Sequence, residues 1–271
     1  MSKSSPTPHE IERWVPHRLQ DFLACEEVRN AFVDHLRADG DGTNILISGE
    51  TGTGKTGLVE AYVRTRNCPY SAGPLLGPCG KCDDCKTFDF ENQDDGIFAR
   101  LRAKVLEQSA VATHFFHVNC YRLHEPGIRD LAREIAEEGA DRSIVYLDEV
   151  HDLAEGKRDK LLLKPISELN AIWIATGITT DALSPMFVRR FATRCTTTRP
   201  TEESLALFLL DRCKEWKIAL DCPETLVSLA RRSRQIAAEC ISVLARAASQ
   251  NGRVLDRQLV EGYPFITGVT R

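Results

Sequence analysis

The chain has 271 residues, 42% of them hydrophobic and 27% charged, a globular composition that excludes a disordered or fibrous protein. That length predicts about 1.8 domains, one large domain with a small appendage, and is enough to bury a sizeable core. Lys and Arg number 35 against 39 Asp and Glu, a net charge of −4. Coating nucleic acid by bulk charge is thereby excluded, while a local basic patch is not.

The ten cysteines stand out. The first thirty residues hold no apolar stretch of the signal-peptide kind, and no window approaches the roughly eighteen consecutive apolar residues of a membrane span. We therefore expect a cytoplasmic protein without membrane contact. In such a reducing compartment, clustered cysteines more often bind metal or act in redox chemistry.

Taken in chain order, residues 1–10 (MSKSSPTPHE) are polar and proline-bearing and read as a flexible tail. Cys25–Arg37 puts Val28, Phe32, Val33 and Leu36 on one helical face. Asn44–Ser48 (NILIS) is a short apolar run ending at glycine, as in a buried parallel strand, and Lys55–Arg66 follows as a helix. Residues 67–90 carry cysteines, glycines and prolines without periodicity and read as an inserted loop, after which Ile97–Gln108 reads as a helix. Strands at His114–Val118, Ser143–Asp148, Ala171–Thr176 and Arg194–Thr198 then alternate with helices at Pro126–Glu138, Lys157–Leu169 and Ser184–Phe191. Such alternation predicts an α/β domain with a five-stranded parallel sheet covered on both faces. After Pro200 only helices follow, at 201–217, 223–233, 235–249 and 256–262. The domains are therefore 11–200, with a Cys-rich insertion at 67–90, and an all-helical 201–271.

Gly49-Glu50-Thr51-Gly52-Thr53-Gly54-Lys55-Thr56 fits the P-loop pattern G-x-x-x-x-G-K-[ST] in full, between a buried strand and a helix. Glycines let backbone N–H groups curl around phosphate oxygens, and the helix N-terminus adds favourable partial charge. Lys55 is placed to reach the β- and γ-phosphates of ATP, and the Thr56 hydroxyl to ligate Mg²⁺. The apolar strand Ile144–Leu147 ends in Asp148 and Glu149. Asp148 suits a second Mg²⁺ ligand, and Glu149 a base for the attacking water. Thr176, at the end of the strand AIWIAT, either orients that water or caps its own turn. Arg189 and Arg190 close a short helix before the last strand; they are a surface pair, or one points at a neighbouring subunit's γ-phosphate.

The P-loop, the DEVH run at Asp148–His151, the IATG strand at Ile174–Gly177 and the FVRRF segment at Phe187–Phe191, in that order before helices, resemble an AAA+ ATPase. Within that superfamily the chain looks most like the bacterial clamp-loader ATPase subunit of the gamma/tau type, over about residues 12–250. The Holliday-junction branch-migration motor is a second relative. The opening Arg13-Trp14-Val15-Pro16 with Asp21, Phe22, Leu23, Glu26 and Val28 is similar to the stretch bordering the adenine in clamp loaders. The resemblance implies ATP at subunit interfaces of a homo-oligomeric ring or spiral on DNA. It makes Arg190 the arginine finger, Thr176 the first sensor residue and 201–271 a lid. Two departures favour a stand-alone relative. The sequence ends with its lid where clamp loaders continue into a collar, and Ala237 or Ala238 falls near the lid arginine's position, with Arg234 as a substitute.

Cys68-x10-Cys79-x2-Cys82-x2-Cys85 follows the P-loop helix. Four thiolates in this span suit tetrahedral zinc, while a C-x2-C-x2-C run also occurs in iron–sulfur proteins. The clamp-loader resemblance implies zinc, since that family carries a four-cysteine module with the same PCG-x-C-x2-C core here. With four protein thiolates such a site is structural. The other six cysteines (Cys25, Cys120, Cys195, Cys213, Cys222 and Cys240) are dispersed and read as small core residues. The seven histidines show no ligand spacing, and the three tryptophans are too dispersed to form a base-stacking platform. Two functions of different class are expected. The first is an ATPase that assembles on DNA and couples turnover to a DNA transaction such as clamp loading or branch migration. The second is a nucleotide-switched scaffold or filament on DNA that recruits a client protein such as a transposase or nuclease.

Overall fold

Five parallel strands form the centre of the larger unit, β1 (Ile45–Gly49), β3 (His114–Asn119), β4 (Ser143–Asp148), β5 (Ile172–Gly177) and β6 (Thr193–Thr197). A sixth strand, β2 (Ala99–Leu101), pairs antiparallel with β3, so the sheet runs in the order β2-β3-β4-β5-β1-β6. These assignments come from a computed structural model describing residues 5–12, 14, 16–23, 25–38, 44–74, 77–82, 85, 99–101, 114–250 and 252–265. The chain divides into two units, Pro16–Thr197 and Met1–Val15 with Thr198–Arg271.

In the first unit the strands are apolar on both faces, as strands buried between helical layers must be. Ile45, Ile47, Ile144, Tyr146 and Ile174 face helices α2 (Glu26–Arg37) and α3 (Lys55–Asn67). Leu46, Val145, Leu147, Trp173 and Ala175 face the opposite way, onto Ile128, Leu131 and Ile135 of the helix Glu125–Glu138. A period of two thus separates the cores.

Two expected elements differ. Ile97–Gln108 is read as helix, but its described part, Ala99–Leu101, is strand. β3 offers a row of backbone groups on that side, and pairing with it overrides local propensity; the rest of the segment lies outside the described residues. The expected helix Lys157–Leu169 is instead a 3-10 stretch, Val150–Leu162, followed by a short α-helix, Leu163–Glu168. It kinks at Glu155–Lys157, where Gly156 and Lys157 take positive φ.

The second unit holds the helices Glu202–Trp216, Glu224–Arg232, Ala237–Gln250 and Arg257–Gly262. Thr201 and Asp256 cap two of them by accepting from the Ser204 and Leu259 N–H groups, which satisfies orphan donors of the first turn. A two-residue parallel bridge joins Ala219–Leu220 to Val254–Leu255, an addition to the helices-only expectation. The segment read as tail contributes α1 (Pro8–Glu12), which packs on Ala237–Gln250 and buries Ile11. Trp14 meets Trp216 edge-on with ring centroids 5.6 Å apart, and Phe208 at 5.8 Å. Two of the three tryptophans therefore share one apolar cluster. No helix among the described residues is long and apolar enough to cross a membrane.

Candidate nucleotide site and cysteine cluster

β1 delivers the P-loop at its carboxyl end, where Gly49, Gly52 and Gly54 all have positive φ. At Gly49 the reason is steric as well. It pairs with Thr197 of β6, and a Cβ there would lie 2.2 Å from Thr197 Oγ1 and 2.5 Å from its carbonyl oxygen. Thr53 locks the turn, its Oγ1 donating to Glu50 O at 2.8 Å and lying 2.7 Å from Thr197 Oγ1. No side chain caps the N-terminus of α3, so its first N–H groups can meet an anion. Lys55 is buried and its Nζ donates to the carbonyls of Gly49 at 2.7 Å and Glu50 at 3.0 Å. Burial lowers its pKa, against the opposing pull of Glu149 and Asp148.

β4 and β5 place the acidic end beside this loop. Asp148 Oδ1 accepts from Thr176 Oγ1 at 2.7 Å, from the Tyr146 hydroxyl at 2.8 Å and from the Glu149 N–H at 3.1 Å. His117 Nε2 stands 3.7 Å from the other oxygen, Oδ2. Burial pushes the Asp148 pKa up, but the bonds from His117, Thr176 and Tyr146 prevail and leave it below the usual value. Glu149 goes the other way: burial, then the neighbouring Asp148 charge, raise its pKa. The two adjacent carboxylates are therefore separated, one held as an anion and one made more basic, the division of labour expected of a metal ligand beside a proton acceptor. Glu149 adopts left-handed backbone (φ 56°), a conformation that costs on the order of 1 kcal/mol in a non-glycine residue. Its Oε2 lies 3.2 Å from His151 Nδ1.

Gly49 to Thr56, Asp148, Glu149 and Thr176 thus converge at one end of the sheet. Hydroxyl, carboxylate, ammonium and backbone N–H groups are the donor set that fits a triphosphate with a hard cation such as Mg²⁺. The Thr176 hydroxyl points at Asp148 rather than capping its own turn. Arg189 and Arg190 are both exposed, and neither guanidinium has a hydrogen-bond or ion-pair partner among the described residues. Tyr146 and His117 also belong to the site but lie in no motif, while His151 closes the DEVH run. A period of two from Asp148 points to Tyr146, whereas His117 requires the β3–β4 register, His117 opposite Tyr146. In the helical unit Arg234 is exposed, with positive φ, and its carbonyl accepts from Arg199.

Cys68, Cys79, Cys82 and Cys85 gather where α3 ends, their four Sγ atoms within 4.8 Å of one another. The pairs Cys68–Cys82 and Cys79–Cys85 are 4.0 and 3.9 Å apart. Tetrahedral thiolates at about 2.3 Å from one zinc ion would be about 3.8 Å apart, so one ion fits. Thiolates spread over several irons would stand wider. Backbone N–H groups of Lys81 and Cys82 donate to Cys79 Sγ and bring its pKa down to about 6. Of the other cysteines, Cys25, Cys120, Cys195, Cys213 and Cys240 are buried and Cys222 half-buried, in keeping with core roles.

A glycine-rich turn between a central parallel strand and a helix, flanked by strands ending in an acidic pair and a polar residue, is the arrangement of a P-loop nucleotide-binding fold, and the comparisons place it in the AAA+ class. The RuvB Holliday junction branch migration motor of Thermotoga maritima superposes with a TM-score of 0.61 at 14% identity, covering 93% of this chain and 71% of that one. A mutant of the same motor gives 0.62 at 13% identity, with 92% and 72% covered. In sequence the chain is similar to DNA polymerase III subunit tau of Bacillus subtilis, 26% identical over 149 residues. That match takes in 54% of this chain and 23% of the relative's length. No family model matches the chain. The chain has the AAA+ fold, RuvB-like in structure and clamp-loader-like in sequence.

Proposed function

We propose that the protein hydrolyses ATP and couples turnover to a DNA transaction as a homo-oligomer. The observation that carries this is the convergence of Lys55, Thr56, Asp148, Glu149 and Thr176 at the carboxyl end of adjacent strands. The P-loop N–H groups and Lys55 bind the phosphates; Lys55 exchanges its hold on the Gly49 and Glu50 carbonyls for phosphate oxygens. Thr56 and Asp148 hold Mg²⁺, which when bound neutralises charge on the β- and γ-phosphate oxygens. Glu149 accepts a proton from the attacking water, a task favoured by its raised basicity. Thr176 steadies Asp148 and keeps lone pairs that can accept from that water. Arg190, exposed and with no partner for its guanidinium among the described residues, reaches a neighbour's γ-phosphate. Cys68, Cys79, Cys82 and Cys85 hold one structural Zn²⁺. Residues 11–200 serve as the nucleotide-binding domain and 201–271 as the lid.

The relatives are by name a DNA polymerase subunit and a Holliday junction branch migration motor, which supports DNA as the partner; a further protein client and a cytoplasmic location belong to the same proposal. At a net charge of −4, DNA contacts are few per subunit and multiplied by assembly. The test is ATP turnover with and without DNA, beside electron microscopy in a slowly hydrolysed ATP analogue. Closed rings with DNA-stimulated turnover support a motor or loader. ATP-dependent filaments with slow turnover replace that reading by the switched scaffold that recruits a transposase or nuclease.

A further inference from the structure

Tyr146 is buried in β4 two residues before Asp148, so both side chains leave the strand on the same face. Its ring stacks on His117 of β3 at 4.9 Å with an interplanar angle of 15°. Its hydroxyl stands 2.8 Å from Asp148 Oδ1, 2.9 Å from Thr176 Oγ1 and 3.4 Å from Thr56 Oγ1. A buried tyrosine hydroxyl generally finds one partner; this one touches three, on α3, β4 and β5. The phenol has a single proton to give, and the charged, close Asp148 oxygen is its better acceptor. Thr176 donates to that same oxygen at 2.7 Å. Oδ1 is thus held from three sides, by two hydroxyls and the Glu149 N–H, which leaves Oδ2 as the less engaged oxygen. Packing alone does not require the hydroxyl, because phenylalanine would fill the same space.

We propose that Tyr146 is a positioning residue that sets the distance and orientation of the Thr56 hydroxyl relative to the Asp148 carboxylate, with the His117 ring fixing the plane of the phenol. This rests on the reading of Thr56 and Asp148 as ligands of one nucleotide-bound Mg²⁺. Without the phenol hydroxyl the Asp148 carboxylate loses one of the three donors that hold Oδ1 and Thr56 loses its contact with β4, so the two ligands meet the cation in a less restricted arrangement. Lost pre-organisation appears as weaker cation binding and slower hydrolysis, and leaves cation-free nucleotide binding alone.

The test is Tyr146→Phe in the full chain. Binding of a fluorescent ADP analogue is titrated against Mg²⁺ and repeated in EDTA, beside kcat for ATP and a nucleotide-free thermal melt. The midpoint for Mg²⁺ is expected to rise about tenfold and kcat to fall about tenfold, the size of a lost hydrogen bond to a charged group. Affinity in EDTA and the melting temperature are expected to stay near wild type. If wild type itself binds no nucleotide, the reading of the site fails first. If wild type binds and hydrolyses while the variant keeps the same Mg²⁺ midpoint, this inference alone is overturned, whether or not the melting temperature has moved. Should Tyr146→Phe not fold, His117→Gln removes the stacked ring and carries the same titration. It is expected to raise the midpoint about threefold, and an unmoved midpoint overturns the proposal there too.

Discussion

The acidic end of β4 and the cysteine loop after α3 are both polar constellations within one α/β unit, yet they are held in opposite ways. Asp148, Tyr146 and Thr176 stand on adjacent parallel strands whose backbone pairing fixes their spacing, and the apolar layers on either face hold the strands. Cys79 and Cys82 stand on a stretch, 77–82, without regular secondary structure, where the holds include N–H to sulfur bonds, the Ser71 hydroxyl on the Gly77 carbonyl and a link from Arg64 to the Cys85 carbonyl. The first site is organised by the fold before any ligand arrives. On our proposal the second is completed by an ion that holds its like-charged thiolates together.

The largest expected effect follows from that difference. Chelating the metal, or Cys82→Ser, removes a binding free energy of about 10 kcal/mol or more that stabilises the loop alone. Hydrogen exchange should then show residues 68–85 deprotected, with β1, β4 and β5 unchanged and bound zinc falling below one ion per chain. Deprotection spreading through the sheet would break the comparison. At the strand-held site, Lys55→Ala is expected to weaken ATP binding about hundredfold, the loss of a charge-assisted phosphate contact, with no change in melting temperature beyond a few degrees. Isothermal titration calorimetry and a melt read both quantities.

Gly49→Ala tests the packing behind the P-loop. Its Cβ would press on the Thr197 carbonyl oxygen, at an expected cost of about 2 kcal/mol measured by urea unfolding. The smallest effect lies away from both sites. His35 is buried with Nδ1 2.7 Å from the Tyr62 hydroxyl, and burial, aided by Arg66, lowers its pKa to about 4. In the unfolded chain its pKa is about 6.5. The unfolded state therefore takes up the proton first, and stability present above about pH 6.5 is lost as pH falls toward 4. Between pH 7.5 and 5.5 that loss amounts to about 1 kcal/mol, and His35→Gln should remove it. Equal pH dependence in variant and wild type would contradict the assignment.

The same contrast explains what the sequence made legible. The P-loop and the cysteine run are contiguous, so residue type and spacing alone expose them. Asp148, Glu149 and Thr176 close apolar strands and are found from that position. Tyr146 and His117 look like ordinary strand residues, since their role depends on which strands are neighbours and in what register. β2, the kinked 3-10 stretch and the packing of α1 and Trp14 are likewise decided by partners far along the chain, which local periodicity does not encode.

The central claim is that Glu149 activates the water that attacks ATP bound at Lys55, Thr56 and Asp148. Glu149→Gln keeps the size of the side chain and removes the base. Its single-turnover hydrolysis of ATP, measured beside nucleotide affinity, tests the claim most directly. The account predicts affinity within about threefold of wild type and hydrolysis at least about hundredfold slower; turnover at the wild-type rate would contradict it.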